Sequence, residues 1–170
     1  MAKKTSLRDF QSYLAERLTS AAQGRASSSW LGLQAGDAFW LIDLAESGEI
    51  IQAPKLTQVP MTHPWFAGIA NIRGNLYAVA DFSMFCGGAP TARNNNARLL
   101  LVGTPHGANA SILVSRMLGL KNQEDFKEEP SDPAAVPWEV ARFSDEQGRV
   151  WRKLSVRALL DDHEFMNIGV

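Results

Sequence analysis

The chain has 170 residues and is 45% hydrophobic, which is enough for one compact domain or two small lobes that share a core. Its 17 Lys and Arg residues nearly balance 18 Asp and Glu residues, and the net charge of -1 offers no long-range attraction to nucleic acid or anionic lipid. One cysteine, Cys86, excludes an intramolecular disulfide. No apolar run follows the lysines near the N-terminus, and no stretch approaches the roughly 20 apolar residues that span a bilayer. We therefore expect a cytoplasmic protein without direct membrane insertion.

The N-terminal segment, residues 1–27, has the pattern of an amphipathic helix followed by a linker. Its apolar residues recur at intervals of three and four: Leu7, Phe10, Leu14 and Leu18. Ser6 and Asp9 resemble a capping box, and residues 26–29 are typical of a short flexible linker. The apolar stripe has two interpretations. It packs on the chain's own domain, which is the simpler one, or it forms an arm that binds a partner.

From Trp30 onward, short apolar runs alternate with turn signals. The sequence predicts strands at 30–33, 39–44, 50–51, 56–59, 69–72, 76–82, 97–102, 110–114, 139–143 and 150–154. Turns are predicted at 35–37 and at Arg73-Gly74-Asn75, where Gly and Asn tolerate a positive φ. Many short strands at close spacing are typical of a barrel or sandwich.

Helices are predicted to be minor. Ser155 is expected to cap a short helix, and residues 81–86 are expected to form another helical turn. Residues 121–137 are polar and contain proline, so we expect a surface loop there.

No catalytic, cofactor or metal site is predicted. The three histidines, His63, His106 and His163, lack the spacing of a zinc site, and no glycine-rich phosphate loop is present. Cys86 has no signature of an activated thiol. The five tryptophans fall in or beside predicted strands, so core packing is their simplest role. Two alternatives remain open: a small hydrolase or transferase that uses Cys86, and a nucleic-acid-binding β-barrel, which would need a basic aromatic face.

Residues 64–82 are the most informative stretch. Gly68 permits a close backbone approach, and two strands meet at an arginine-glycine turn. At such a turn Arg73 presents a rigid fork of donors suited to a carboxylate.

This stretch resembles the central signature of the CheW-like domain family, Gly-Val-x-Asn-Leu-Arg-Gly followed by an apolar strand that ends in Asp-Leu. Gly68, Asn71, Arg73, Gly74 and Asp81 match it. The resemblance covers about residues 28–162 and leaves 163–170 as a C-terminal tail. It implies a mainly all-β fold with two intertwined five-stranded SH3-like β-barrel subdomains and a few short helices.

The resemblance also implies a non-catalytic adapter that couples the cytoplasmic tips of methyl-accepting chemoreceptors to the regulatory domain of a CheA-type histidine kinase. Glu49 matches an acidic position that can pair with the signature arginine, and we predict an Arg73–Glu49 ion pair. The predicted kinase surface lies around the 50–51 strand, and the turn is predicted to form one rim of a receptor groove. The protein-binding residues are thus Glu49, Ile50, Ile51, Asn71, Arg73, Gly74 and Asn75.

The chain departs from the flagellar adapters at several positions. Ala78 replaces the proline usual in the strand after Arg-Gly, and Ser115 stands where the family has aspartate. With the N-terminal extension, these departures make the chain more similar to the adapters of type IV pilus systems, which control twitching motility.

Overall fold

The computed structural model describes residues 29–170 and four residues of the N-terminal segment, Gln11, Ser12, Leu14 and Ala15. These four are helical and exposed. The rest of the predicted N-terminal helix and linker lies outside the described residues.

Residues 29–170 fold into two β-sheets with a few short helices, which confirms the predicted fold class. The strands are β1 (Ser29–Ala35), β2 (Ala38–Asp43), β3 (Ile50–Gln52), β4 (Phe66–Ile72), β5 (Asn75–Asp81), β6 (Arg98–Leu100), β7 (Ala110–Val114), β8 (Arg116–Asn122), β9 (Lys127–Glu129), β10 (Glu139–Ser144) and β11 (Val150–Leu154).

The sheets are intertwined because the chain leaves the first one and later returns to it. The first sheet, which we call barrel 1, has the order β8-β1-β2-β11-β10-β9; the second, barrel 2, has the order β3-β6-β7-β5-β4. Barrel 1 thus has six strands, one more than the resemblance implied. In barrel 2, a bridge between Thr57 and Ile69 joins the chain after β3 to β4 and brings its two edges together.

Apolar side chains fill the inside of each barrel and the space between them. Barrel 1 encloses Trp30, Leu41 and Trp151, and barrel 2 encloses a cluster that includes Tyr77 and Val79. The largest cluster lies between the barrels and includes Leu31, Leu33, Trp40, Ile42, Phe82, Leu100, Ile112, Trp138, Leu154 and Phe165. Four of the five tryptophans are buried and Trp65 is half-buried, as core packing predicts.

Three short helices close the space between the barrels. They are α1 (Phe82–Phe85), α2 (Val156–Leu160) and α3 (His163–Met166), and 3-10 turns lie at Leu44–Glu46, Thr104–His106 and Gln123–Asp125. The side chains of Asp81, Ser155 and Asp162 accept a backbone N–H in the first turn of α1, α2 and α3 respectively. Such caps satisfy donors that a short helix leaves free. Phe82 of α1 and Phe165 of α3 are part of the core between the barrels.

Three segments differ from the sequence-based expectation. The strand predicted at 56–59 forms only a single bridge, between Thr57 and Ile69. The segment 121–137, predicted to be a surface loop, contains the end of β8 and all of β9. Residues 163–170 pack on the domain, because α3 buries Phe165 and Gly169 forms a bridge with Thr62. No helix among the described residues is long and apolar enough to cross a membrane.

Candidate protein-docking site

The β4–β5 hairpin ends in a tight turn that displays Arg73. Ile72 pairs with Asn75, so only Arg73 and Gly74 form the loop, and both have positive φ angles, 52° and 85°. Two left-handed residues are the signature of the hairpin turn whose twist matches that of the strands. The left-handed pair is Arg73 and Gly74, whereas the sequence suggested Gly74 and Asn75. Gly74 N–H donates to Asn71 Oδ1 over 3.0 Å, which fixes the loop.

Arg73 forms the predicted ion pair with Glu49. Its Nη1 donates to Oε1 of Glu49 over 2.9 Å and its Nη2 donates to Oε2, so the contact is bidentate. The hydrogen bond to the guanidinium lowers the pKa of Glu49 and raises the pKa of Arg73. The side chains are 68% and 43% exposed respectively, so water screens the pair and its contribution to stability is small. What the pair achieves is a fixed, solvent-facing arrangement of opposite charges.

The apolar residues beside this pair, Ile50 and Ile51, are partly buried. Ile50 packs against the between-barrel core and Ile51 against the interior of barrel 2, so each is only half-exposed. The most exposed apolar side chain near the turn is Leu76, opposite Asn71 in the hairpin and 59% exposed. Sequence reasoning missed Leu76, although its alternation with the buried Tyr77 and Val79 places it on the outer face of β5.

An apolar cleft of about 210 Å³ lies between barrel 2 and α3. Trp65 lies at this cleft, and its ring stacks on His63 at 5.7 Å and on Phe165 at 6.0 Å between centroids. The other lining residues include Ala78, Ala110, Met166 and Ile168, and Met166 is 56% exposed. Arg73, Gly74 and Asn75 do not line this cleft. The turn and the cleft are therefore two separate features of barrel 2.

Cys86 lacks the environment of a nucleophile. It has exposed surface, but desolvation raises the pKa of the thiol to about 12, and the nearby charge of Arg152 opposes this shift without cancelling it. The sulfur is therefore a protonated thiol at neutral pH. Within the described part of the chain, no group of three His, Cys, Asp or Glu side chains is placed to hold a metal ion.

Comparisons with known proteins agree on one family. The model of the CheW-like domain matches residues 29–164. Protein PilI of Pseudomonas aeruginosa is 30% identical over 155 residues, which cover 88% of this chain and 85% of PilI. The crystal structure of the scaffolding protein TtCheW from Thermoanaerobacter tengcongensis superposes with a TM-score of 0.63 at 15% identity, over 76% of this chain and 84% of that one. The chain therefore belongs to the CheW-like domain family, to which the Asn-x-Arg-Gly turn had pointed.

Proposed function

We propose that this chain is a non-catalytic adapter of a chemosensory array, which couples chemoreceptor tips to a CheA-type histidine kinase and controls type IV pilus twitching motility. The observation that carries the proposal is the bidentate Arg73–Glu49 pair, displayed on a rigid hairpin tip. The pilus pathway is supported by the sequence, which is 30% identical to PilI over most of the length of both proteins. On this proposal the protein acts in the cytoplasm, where the kinase and the receptor tips lie.

The kinase would bind the surface around the hairpin tip. Arg73 and Glu49 give this surface a charged edge, and Leu76 gives it an exposed apolar centre. An apolar centre with a polar rim is the usual anatomy of a protein interface. Asn71, Gly74 and Asn75 form or flank the turn, and Ile50 and Ile51 follow Glu49 on β3. The partner would be the regulatory domain of the kinase.

The receptor would bind the apolar cleft beside α3. Receptor tips are helical, and a helix binds a groove by inserting apolar side chains at helical spacing. A volume of about 210 Å³ can hold one or two such side chains. Met166 at the mouth can adapt its shape to them, because its unbranched side chain is flexible. On this proposal the receptor groove is the cleft beside α3, whereas the sequence-based prediction had the Arg73 turn as one rim of the groove.

An adapter with these two surfaces works by geometry and makes no covalent change. Each interface can be weak, since many linked contacts in an array strengthen one another. A shift of the receptor changes the signal only if the kinase conformations differ in their affinity for the adapter. The high pKa of the Cys86 thiol speaks against the alternative of a cysteine-based enzyme.

A binding experiment with matched charge reversals tests the proposal. Arg73→Glu is compared with Arg157→Glu, which reverses an exposed arginine on α2. We expect Arg73→Glu to weaken binding of the kinase regulatory domain about tenfold or more and to retain receptor binding. Arg157→Glu should bind both partners as the unsubstituted protein does. Equal binding by both variants would contradict the kinase surface. Failure of the unsubstituted protein to bind either a kinase or a receptor fragment would overturn the function.

The exchanged pair, Arg73→Glu with Glu49→Arg, separates two roles of the charges. If the pair only stabilises the hairpin, the exchange restores kinase binding, because the ion pair forms again. If the partner reads the charges directly, binding stays weak.

A further inference from the structure

Barrel 1 has an uncovered apolar corner where β1 begins. Leu120 on β8 is 65% exposed, and Leu44, one residue beyond the end of β2, is 41% exposed. We call these two side chains the leucine corner. β1 lies between β8 and β2, so the two leucines flank its first residues.

The leucine corner continues the apolar face that the two barrels share. Leu154, Ile42, Leu31 and Leu120 are in register across four neighbouring strands. Residues in register point to the same face of a sheet. The first three are buried between the barrels, whereas Leu120 on the edge strand β8 is exposed. The edge of this face is thus left without a cover among the described residues.

The chain itself brings an apolar segment to this point. β1 starts at Ser29, which pairs with Asn122, two residues beyond Leu120. The 28 residues before it contain the apolar stripe of Leu7, Phe10, Leu14 and Leu18. Leu14, the stripe residue that the structure describes, is 43% exposed and still has apolar surface to bury. Residues 19–28 can span roughly 33 Å when extended, far more than a return to the corner requires.

Charge favours the same contact. Residues 1–28 contain five Lys and Arg and two acidic residues, a net charge of +3, whereas residues 29–170 contain twelve basic and sixteen acidic residues. The 3-10 turn that directly follows β8 contains Glu124 and Asp125. Opposite net charges attract the segment to the domain, and a short tether keeps its local concentration high.

From these observations we propose that residues 7–18 dock on the leucine corner of their own chain through the apolar stripe. The docked segment buries the exposed Leu120 on β8, an edge strand of barrel 1. This inference does not depend on the proposed partners.

Disulfide trapping in the full chain tests the contact. In a Cys86→Ala background, Leu14→Cys is combined with Leu120→Cys, and the protein is exposed to oxidised glutathione. We expect an intramolecular disulfide, seen as a monomer of altered mobility that reverts on reduction. The control combines Leu14→Cys with Leu76→Cys, because Leu76 is a similarly exposed leucine on barrel 2, at 59%. Disulfide-linked dimers would show that a second copy occupies the corner. Equal yields of intramolecular disulfide in the Leu120→Cys and Leu76→Cys pairs would show that the segment does not prefer the corner. Either result overturns the proposal.

Limited proteolysis gives a second measurement without new cysteines. Leu120→Lys should release the segment and speed tryptic cleavage after Arg17 about tenfold, whereas Leu76→Lys should leave the rate unchanged. An unchanged rate in Leu120→Lys, with the domain still folded by circular dichroism, would contradict docking.

Discussion

We predict that Asp81, the last residue of β5, contributes strongly to stability by holding α1 and the following loop against the end of β5. Asp81 is 5% exposed, and its carboxylate accepts three hydrogen bonds: from Thr91 N at 2.8 Å, Thr91 Oγ1 at 2.7 Å and Met84 N at 3.3 Å. The carboxylate therefore ties α1, and the loop that follows it as far as Thr91, to the end of β5. In Asp81→Asn the shape is kept, but the amide nitrogen must face one of these donors.

The magnitude follows from the two short bonds. A hydrogen bond to a charged group contributes about 1.5–3 kcal/mol, and an unpaired buried donor costs about 1–3 kcal/mol. We expect Asp81→Asn to lower the free energy of unfolding by about 3 kcal/mol, which for a chain of this length lowers Tm by about 6–12 °C. Thr91→Val removes only the hydroxyl donor and should cost about 1 kcal/mol.

Urea unfolding followed by circular dichroism measures these differences. Asp37→Asn is the matched control, because Asp37 is exposed in the β1–β2 turn. The double variant Asp81→Asn with Thr91→Val should lose less than the sum of the single losses, since the two residues share one contact. A loss below about 0.5 kcal/mol for Asp81→Asn, in the range of ordinary surface substitutions, would refute the role assigned to the carboxylate.

Two further predictions concern glycine conformation and the thiol. A Cβ at Gly68 would lie 2.4 Å from the carbonyl oxygen of Thr57, whereas one at Gly74 would meet nothing within 4 Å, although both residues have positive φ. In urea unfolding, Gly68→Ala should therefore cost about 3 kcal/mol or more and Gly74→Ala only about 1 kcal/mol; equal losses would contradict the close approach at Thr57. Because its pKa is about 12, Cys86 should react with iodoacetamide at pH 8 roughly a thousandfold more slowly than a free thiol, and the rate should rise with pH by about tenfold per unit. Fast labelling at pH 8 would show that the sulfur is not desolvated.

The sequence predicted the strands that combine apolar alternation with a strong turn signal. The bounds of β7 and β11 agree with the prediction, and the β4–β5 hairpin was placed through its arginine-glycine turn. β8 escaped detection because its register with β1 shifts at Gly32/Leu33, opposite Gly119, which breaks the alternation. The three residues of β9, Lys127–Glu129, are all charged, and only pairing with β10 makes them a strand.

The candidate site was predicted in part. Residues 49 and 73 are far apart in the sequence, so no local pattern connects them, and only the family resemblance suggested the ion pair. The exposure of Leu76 and the partial burial of Ile50 depend on how the barrels pack against each other, whereas Ile51 is partly buried because it packs against the interior of barrel 2. Alternation within a strand assigns a side chain to a face, but it does not say which faces the second barrel covers.

The packing between the barrels bears on how an adapter of this shape would transmit a receptor movement. Trp65 at the cleft contacts Phe85 at 5.0 Å, Phe85 contacts Trp138 at 5.6 Å, and Trp138 contacts Trp40 of barrel 1 at 5.5 Å, all between ring centroids. Close-packed interiors are weakly compressible, so a side chain larger than the cleft of about 210 Å³ cannot be absorbed locally by these rings. It must displace α3, through Phe165, or move barrel 2 relative to barrel 1. Since the Arg73 hairpin is part of barrel 2, the second response would reposition the proposed kinase surface while leaving its ion pair intact.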